Sequence, residues 1–261
     1  MRVAALSDIG LVRSRNEDAY WYDLDRGIFI LADGLGGHKA GEIAAATAVK
    51  IAADRLSLAV DEGLQDVLLA EAMQEAFSVA SEQVYARATE SEAFSGMACS
   101  LIAGILQQDT CLVAHAGDSR AYLFFDDSLS QMTVDDTPVG ALIKRGYLLP
   151  EKARSHSLKN LLIKSIGSQP TVDANISKFP VKSGERLLFC SDGLWGIVDH
   201  ETVHAILRQQ SDPQLLCEEL VRAARANGGH DNITVIVVEA EEPTIPGEIK
   251  TVEILKPDLN A

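Results

Sequence analysis

Two long stretches fix how this chain can be layered. From Glu42 to Val60 and from Leu64 to Ala88, apolar residues recur at three- and four-residue spacing without proline or internal glycine, and Gly63 separates the two runs. That pattern predicts two consecutive amphipathic helices, a hairpin whose apolar side needs a sheet to cover. Short strand-like runs come before it at 2–7, 19–24 and 27–32, and after it at 97–107, 110–116 and 120–125. Further strand-like runs at 174–180 and 186–191 lead to helical patterns at 199–209 and 213–227 and a last strand at 233–239. This order is not the strict alternation that builds a parallel sheet, so the chain is expected to be an α+β layered domain with largely antiparallel sheets. Between about Asp135 and Gln169 the composition loosens into short helical pieces mixed with Gly and Pro, which reads as an insertion or lid. The tail from Glu241 carries Pro243, Pro246 and Pro257 among charges and is expected to be loosely attached.

Composition excludes several classes. With 261 residues the chain can build one large domain with a full core. No run approaches the roughly 18 apolar residues of a membrane span, and Asp8 interrupts the start, so neither a span nor a signal peptide is expected. Cys99, Cys111, Cys190 and Cys217 have no C-x-x-C spacing and read as reduced thiols of a cytoplasmic protein. A net charge of −15 argues against nucleic-acid binding, which needs a basic face.

The informative residues are acids. Asp33 in "ILADGLGG" and Asp192 in "LLFCSDGLWG" each follow an apolar strand and precede Gly-Leu. Asp118 closes the strand of "CLVAHAGD", Asp231 precedes the last strand in "NGGHDNITVIVV", and Asp18 stands beside Glu17 in "RSRNEDAY". A single Asp-Gly after a strand is ordinary turn chemistry. Five acids at converging strand ends repel one another unless protons or cations neutralise them. Hard oxygen donors with nearby glycines suit Mg²⁺ or Mn²⁺, and no His/Cys cluster competes for zinc.

In this order and spacing, "GLVRSRNEDAY", "ILADGLGGHKAGE", "AHAGDSRAYL", "LLFCSDGLWGIV" and "GGHDNITVIVV" resemble the metal-dependent serine/threonine protein phosphatases of the 2C class, the PPM family, in their compact bacterial form. The likeness covers 2–239. It implies a β-sandwich of two antiparallel sheets flanked by helix pairs, a catalytic domain over 1–240 with a flap at 137–170, and a C-terminal extension over 241–261. It also implies hydrolysis of phosphoserine and phosphothreonine with two Mn²⁺ or Mg²⁺ and a weaker third ion, on phosphoprotein substrates of a cognate kinase, by a monomer without nucleic acid or membrane. Position by position, Asp33 would bridge the two metals and Gly34 would offer its carbonyl to one. Asp192 and Asp231 would bind the other, Asp18 would act through coordinated water with Glu17 in support, and Asp118 with Asp192 would hold the third. Arg13 would clamp the substrate phosphate. Its planar, permanently charged donors suit phosphate oxygens.

His38 can protonate the leaving oxygen, bind phosphate or water, or cap the helix beginning near Gly41, because a histidine titrates near neutral pH. The position where the animal branch carries its proposed acid, directly after Asp-Gly, is here Leu35. Ala98, Cys99 and Ser100 replace the family's Gly-Thr-Thr strand, and Asp135-Asp136-Thr137 lacks the histidine many relatives carry at the flap's start. Arg120 is expected to brace a neighbouring acid, Asn232 to orient Asp231 or its loop, Trp195 to pack near the site rather than serve as a stacking platform, and His115 to be a satisfied strand histidine. Lys144, Arg145, Lys152 and Arg154 form a modest basic patch that reads as a solvated face or as a surface for an acidic phosphoprotein. The other readings are a phosphoprotein-binding pseudophosphatase and a two-metal phosphodiesterase; the five acids weigh against the first and the acidic charge against the second.

Overall fold

The structure, a computed structural model, describes residues 1–35, 40–90, 92–153 and 156–241. The strands are β1 (Arg2–Asp8), β2 (Ala19–Asp23), β3 (Ile28–Leu35), β4 (Ala98–Gln107), β5 (Thr110–Ala116), β6 (Arg120–Phe125), β7 (Ser128–Gln131), β8 (Asn175–Pro180), β9 (Arg186–Cys190) and β10 (Ile233–Glu239). The helices are α1 (Gly41–Asp61) and α2 (Asp66–Glu90), then α3 (Pro138–Lys144), α4 (Pro150–Ala153), α5 (Asp192–Trp195), α6 (His200–Leu207) and α7 (Pro213–Ala226). One sheet runs β1-β10-β9-β6-β7 and the other β2-β3-β4-β5-β8, with every pairing antiparallel.

The alternation of side chains along each strand builds the layers. Phe29 and Leu31 of β3 point between the sheets with Ile102, Leu187, Phe189 and Ile236. Ile28, Ile30 and Ala32 point the other way, against Ala48, Leu56 and Phe77 of α1 and α2. β10 divides likewise, with Val235 and Val237 meeting Leu216 and Leu220 of α7 while Ile236 and Val238 face inward. Both sheets are therefore covered on both faces, which explains uninterrupted apolar strands in an antiparallel fold. The result is the helix–sheet–sheet–helix sandwich that the family resemblance implies, and the antiparallel α+β layering expected from the order of elements.

The structure corrects some details. β3 does not stop before Asp33: Asp33, Gly34 and Leu35 continue the ladder against Ser100, Cys99 and Ala98. The short elements β7 and α5 were not expected. The segment after Asp135 begins as α3, capped by Thr137, whose hydroxyl accepts from the Gly140 N–H. Its far end is no lid. Ile166 exchanges two backbone hydrogen bonds with Cys99, at 3.0 and 2.9 Å, and is fully buried beside α2. Of the tail, Glu241 pairs with the Met1 amino group and Arg2, and the rest lies outside the described residues. No helix among the described residues is long and apolar enough to cross a membrane.

Candidate active site

The connections around one end of the sandwich bring the five acids together. Asp18 precedes β2, Asp33 lies near the end of β3, and Asp118 lies in the β5–β6 turn, while Asp192 follows β9 and Asp231 precedes β10. Asp33 is the centre: burial pushes its carboxyl well above the usual range, and the charges of Asp18, Asp192, Asp118 and Asp231 each push further. Carboxylates crowded in this way need a proton or a cation among them. Burial, with Asp231 next in weight, lifts Asp192 to about 6 against the pull of Asp33, Arg13 and Lys159. Asp118 rises to about 8 by burial and then by Asp192.

Asp18 is held by a file of donors. Asn16 Nδ2 donates to Ser7 Oγ at 2.7 Å, and Ser7 Oγ lies 2.7 Å from Thr234 Oγ1. Thr234 Oγ1 and Ser191 Oγ then donate to Asp18 Oδ2 at 2.6 and 2.9 Å. Asp18 still rises to about 7, chiefly by burial, and its Oδ1 is shielded from solvent without a hydrogen-bond partner. Such an orphaned oxygen is costly. Ser7, Ser191 and Thr234 were missed in the sequence, where a threonine inside "DNITVIVV" and a serine ahead of Asp192 were the available signals.

Asn232 acts as expected. Its own N–H donates to Asp231 Oδ1 at 2.8 Å, while Nδ2 donates to the carbonyls of Ile9 and Arg15 at 3.0 and 2.9 Å. Its Oδ1 accepts from Glu17 N at 2.8 Å, so one side chain fastens the β1–β2 loop to the start of β10. Arg13 Nη2 reaches Asp231 Oδ2 at 2.7 Å. Glu17 is raised by burial and by Glu42, and its Oε2 is packed against the Cα of Gly41. Gly34 is required for packing: a Cβ there would lie 2.5 Å from backbone atoms of both Glu17 and Gly41. A cleft of about 220 Å³ opens over Asp192 and Asp231, with Lys159, Asn160 and His230 on its walls.

Arg120 braces Asp135 through two hydrogen bonds of 2.8 and 2.7 Å. Trp195 is packed within the chain: the Arg120 guanidinium lies 3.5 Å from its ring centroid, and its Nε1–H donates to the Asp118 carbonyl at 3.0 Å. His115 is only half satisfied, because Nε2 meets the Val134 carbonyl at 2.9 Å and buried Nδ1 has no partner. Lys144, Arg145 and Lys152 are exposed, as a solvated face requires. His38 and Arg154 lie outside the described residues.

The donor set fits hard divalent cations: carboxylates crowded enough to raise one another's pKa, and one orphaned carboxylate oxygen. Among the described residues no group of three or more His, Cys, Asp or Glu is already assembled as a cage for one ion, and Arg13 occupies Asp231. The four cysteines are free, and burial pushes every thiol up, so none is poised as a nucleophile.

An αββα sandwich with such an acid cluster at one end defines a class of phosphate-ester hydrolase, and comparison with known proteins specifies it. The profile of the family "Protein phosphatase 2C" matches residues 12–214. The serine/threonine phosphatase stp of Listeria innocua is 31% identical over 240 residues, covering 89% of this chain and 93% of the relative. The crystal structure of the serine/threonine phosphatase PstP/Ppp of Mycobacterium tuberculosis matches with a TM-score of 0.83 at 34% identity, over 92% of this chain and 99% of that one. A catalytic domain of PstP solved in complex with two manganese ions matches with a TM-score of 0.80 at 31% identity, over 92% and 98%. The chain belongs to the protein phosphatase 2C family. It is a serine/threonine protein phosphatase of this metal-dependent family, acting on phosphoproteins. The relatives lend nothing to the phosphodiesterase and pseudophosphatase readings.

Proposed function

We propose that Asp33, Asp192, Asp231 and the backbone carbonyl of Gly34 would hold two divalent cations, Mn²⁺ or Mg²⁺. Asp18 would support them through water, and Asp118 with Asp192 would take a weaker third ion. Bound there, such ions supply an acidified water as nucleophile and stabilise charge at phosphorus. The observation that carries this reading is Asp33, a buried carboxyl ringed by four other carboxylates, whose burial and whose neighbours' charges together push it well above the usual range.

The chain's own groups have separate tasks. Ser191 and Thr234 fix Asp18, so that its unpartnered Oδ1 is the oxygen free to accept from a bound water. Asn232 fixes both Asp231 and the loop that carries Glu17. Arg13 stands at the cleft with its guanidinium on Asp231; when a cation answers that carboxylate, its donors become available to phosphate oxygens. His38 is assigned the proton delivered to the departing serine or threonine oxygen, on the strength of its place in the sequence. Residues 1–240 form the catalytic unit and 241–261 an extension. The enzyme works as a cytoplasmic monomer that reverses a serine/threonine kinase.

The test is phosphate release from a phosphothreonine peptide with Mn²⁺, with a chelator, and for Asp192→Ala. Release that needs the ion and is lost in the variant supports the assignment. Release that persists in Asp192→Ala removes Asp192 from the site.

A further inference from the structure

Beside the catalytic cleft lies a second, larger cavity of about 680 Å³ that none of these roles uses. Its floor is the outer face of the sheet at Tyr122 and Gln131, and its walls are Val139 and Ile143 of α3 opposite Val198 and Val203 beside and on α6. Lys159, Trp195 and Gly196 line both this cavity and the cleft over Asp192 and Asp231, so the two spaces adjoin across the Trp195 ring. A chain that places a phosphorylated residue over Asp192 therefore has the larger cavity directly alongside.

The chemistry of the cavity selects its occupant. Its one deep cation, Arg120, is already answered by both oxygens of Asp135 and by the Tyr122 hydroxyl at 3.0 Å, and its flat face is covered by Trp195. The Thr137 hydroxyl accepts from the Gly140 N–H at 2.9 Å. With Arg120 and Thr137 satisfied internally, and with the remaining charges of the lining mixed in sign between Lys159 and Glu201, an anionic guest meets no unanswered cationic cluster, whereas an apolar guest is removed from water against valine and isoleucine surface. The neighbouring rim is apolar as well: Leu158 and Leu161, on either side of Lys159 and Asn160, are 44% and 54% exposed.

We propose that this cavity is a docking subsite for a large apolar side chain of the phosphoprotein substrate, a few residues from the phosphorylated position. The proposal rests on reading the cleft over Asp192 and Asp231 as the phosphate site. It makes this phosphatase selective among phosphoproteins by the apolar residue beside the phosphate.

The test uses the full chain with Mn²⁺ and matched phosphothreonine peptides in which leucine, phenylalanine or glycine is placed in turn at each flanking position. The readout is the ratio of kcat/KM for the apolar peptide to that for its glycine counterpart. At one or two positions the ratio is expected to reach about tenfold, the range a hydrophobic pocket supplies. In Ile143→Asp it falls towards unity; Ile143→Trp, which narrows the cavity without adding charge, is the second variant should the first fail to fold. A ratio near unity at every position, or one that neither variant moves, overturns the subsite while leaving the phosphatase reading intact. A uniform rise in turnover on all peptides in the variants also overturns it, since the cavity would then be filled by the chain's own residues 242–261. Failure to hydrolyse any phosphopeptide overturns the underlying reading instead.

Discussion

Arg13 Nη2 lies 2.7 Å from Asp231 Oδ2, so the arginine assigned to phosphate is the counter-charge of an acid assigned to metal. Both side chains are partly exposed, which makes the pair weak as a source of stability. Its importance is as an exchange: cation to Asp231, guanidinium to substrate. Replacing Arg13 with alanine is expected to raise KM for a phosphopeptide, lowering kcat/KM by about 10- to 100-fold, the range of a charge-assisted hydrogen bond, while thermal stability stays near wild type. Steady-state kinetics beside a melting curve decide it. An unchanged kcat/KM removes Arg13 from the site.

Asp18 gives a prediction of opposite sign for stability and function. Asparagine removes a desolvated charge beside other acids while keeping the contacts to Ser191 and Thr234, whose hydroxyls can reverse to accept. Asp18→Asn is therefore expected to melt higher than wild type in chelator and to need about 10- to 100-fold more Mn²⁺ for half-maximal activity. Lower stability without metal would contradict the repulsion inferred around Asp33.

The pH dependence follows from the same crowding. Asp192, Asp18 and Asp118 are held at about 6, 7 and 8, above the range of the unfolded chain. Acids raised in the folded state stabilise it fully below about pH 4 and lose that contribution as pH climbs through their folded values. Buried His115, whose imidazole is pulled down chiefly by burial, works the other way below about pH 6.5. In chelator the melting temperature should therefore fall between about pH 6.5 and 8, and with saturating Mn²⁺, which needs ionised ligands, the fall should shrink or reverse. Scanning fluorimetry across that window reads both slopes, and parallel slopes would count against the site.

Gly34 separates packing from chemistry. Gly34→Ala forces a Cβ into the backbones of Glu17 and Gly41 and is expected to cost about 1–3 kcal/mol or more, seen as a lower denaturant midpoint with metal or without. Loss of metal affinity with the midpoint intact would instead assign Gly34 to coordination alone.

Most of the architecture was legible because its signals are local. The helix hairpin, the covered strands and the acids at strand ends follow from periodicity and from the cost of an unpaired carboxylate, and α1, α2 and β10 stand within about two residues of their expected bounds, the usual uncertainty of helix and strand ends. What stayed hidden depends on distant partners. Asp33 looked terminal because Asp-Gly reads as a turn, yet Ser100 and Cys99 carry the ladder past it. Ile166 looked like part of a lid because its two hydrogen bonds are made to Cys99, far along the chain. The donors on Asp18 come from β10 and the residue after β9, with Ser7 of β1 behind Thr234, a convergence that no spacing announces.

The central claim, that Asp33, Asp192 and Asp231 hold the catalytic cations, is tested most directly by counting ions. Calorimetric titration of Mn²⁺ into the chelator-stripped protein should show about two tight ions per chain, as two-metal hydrolysis requires, and Asp192→Asn should lose at least one of them while keeping its fold. Wild-type stoichiometry and affinity in Asp192→Asn and in Asp231→Asn would contradict the account.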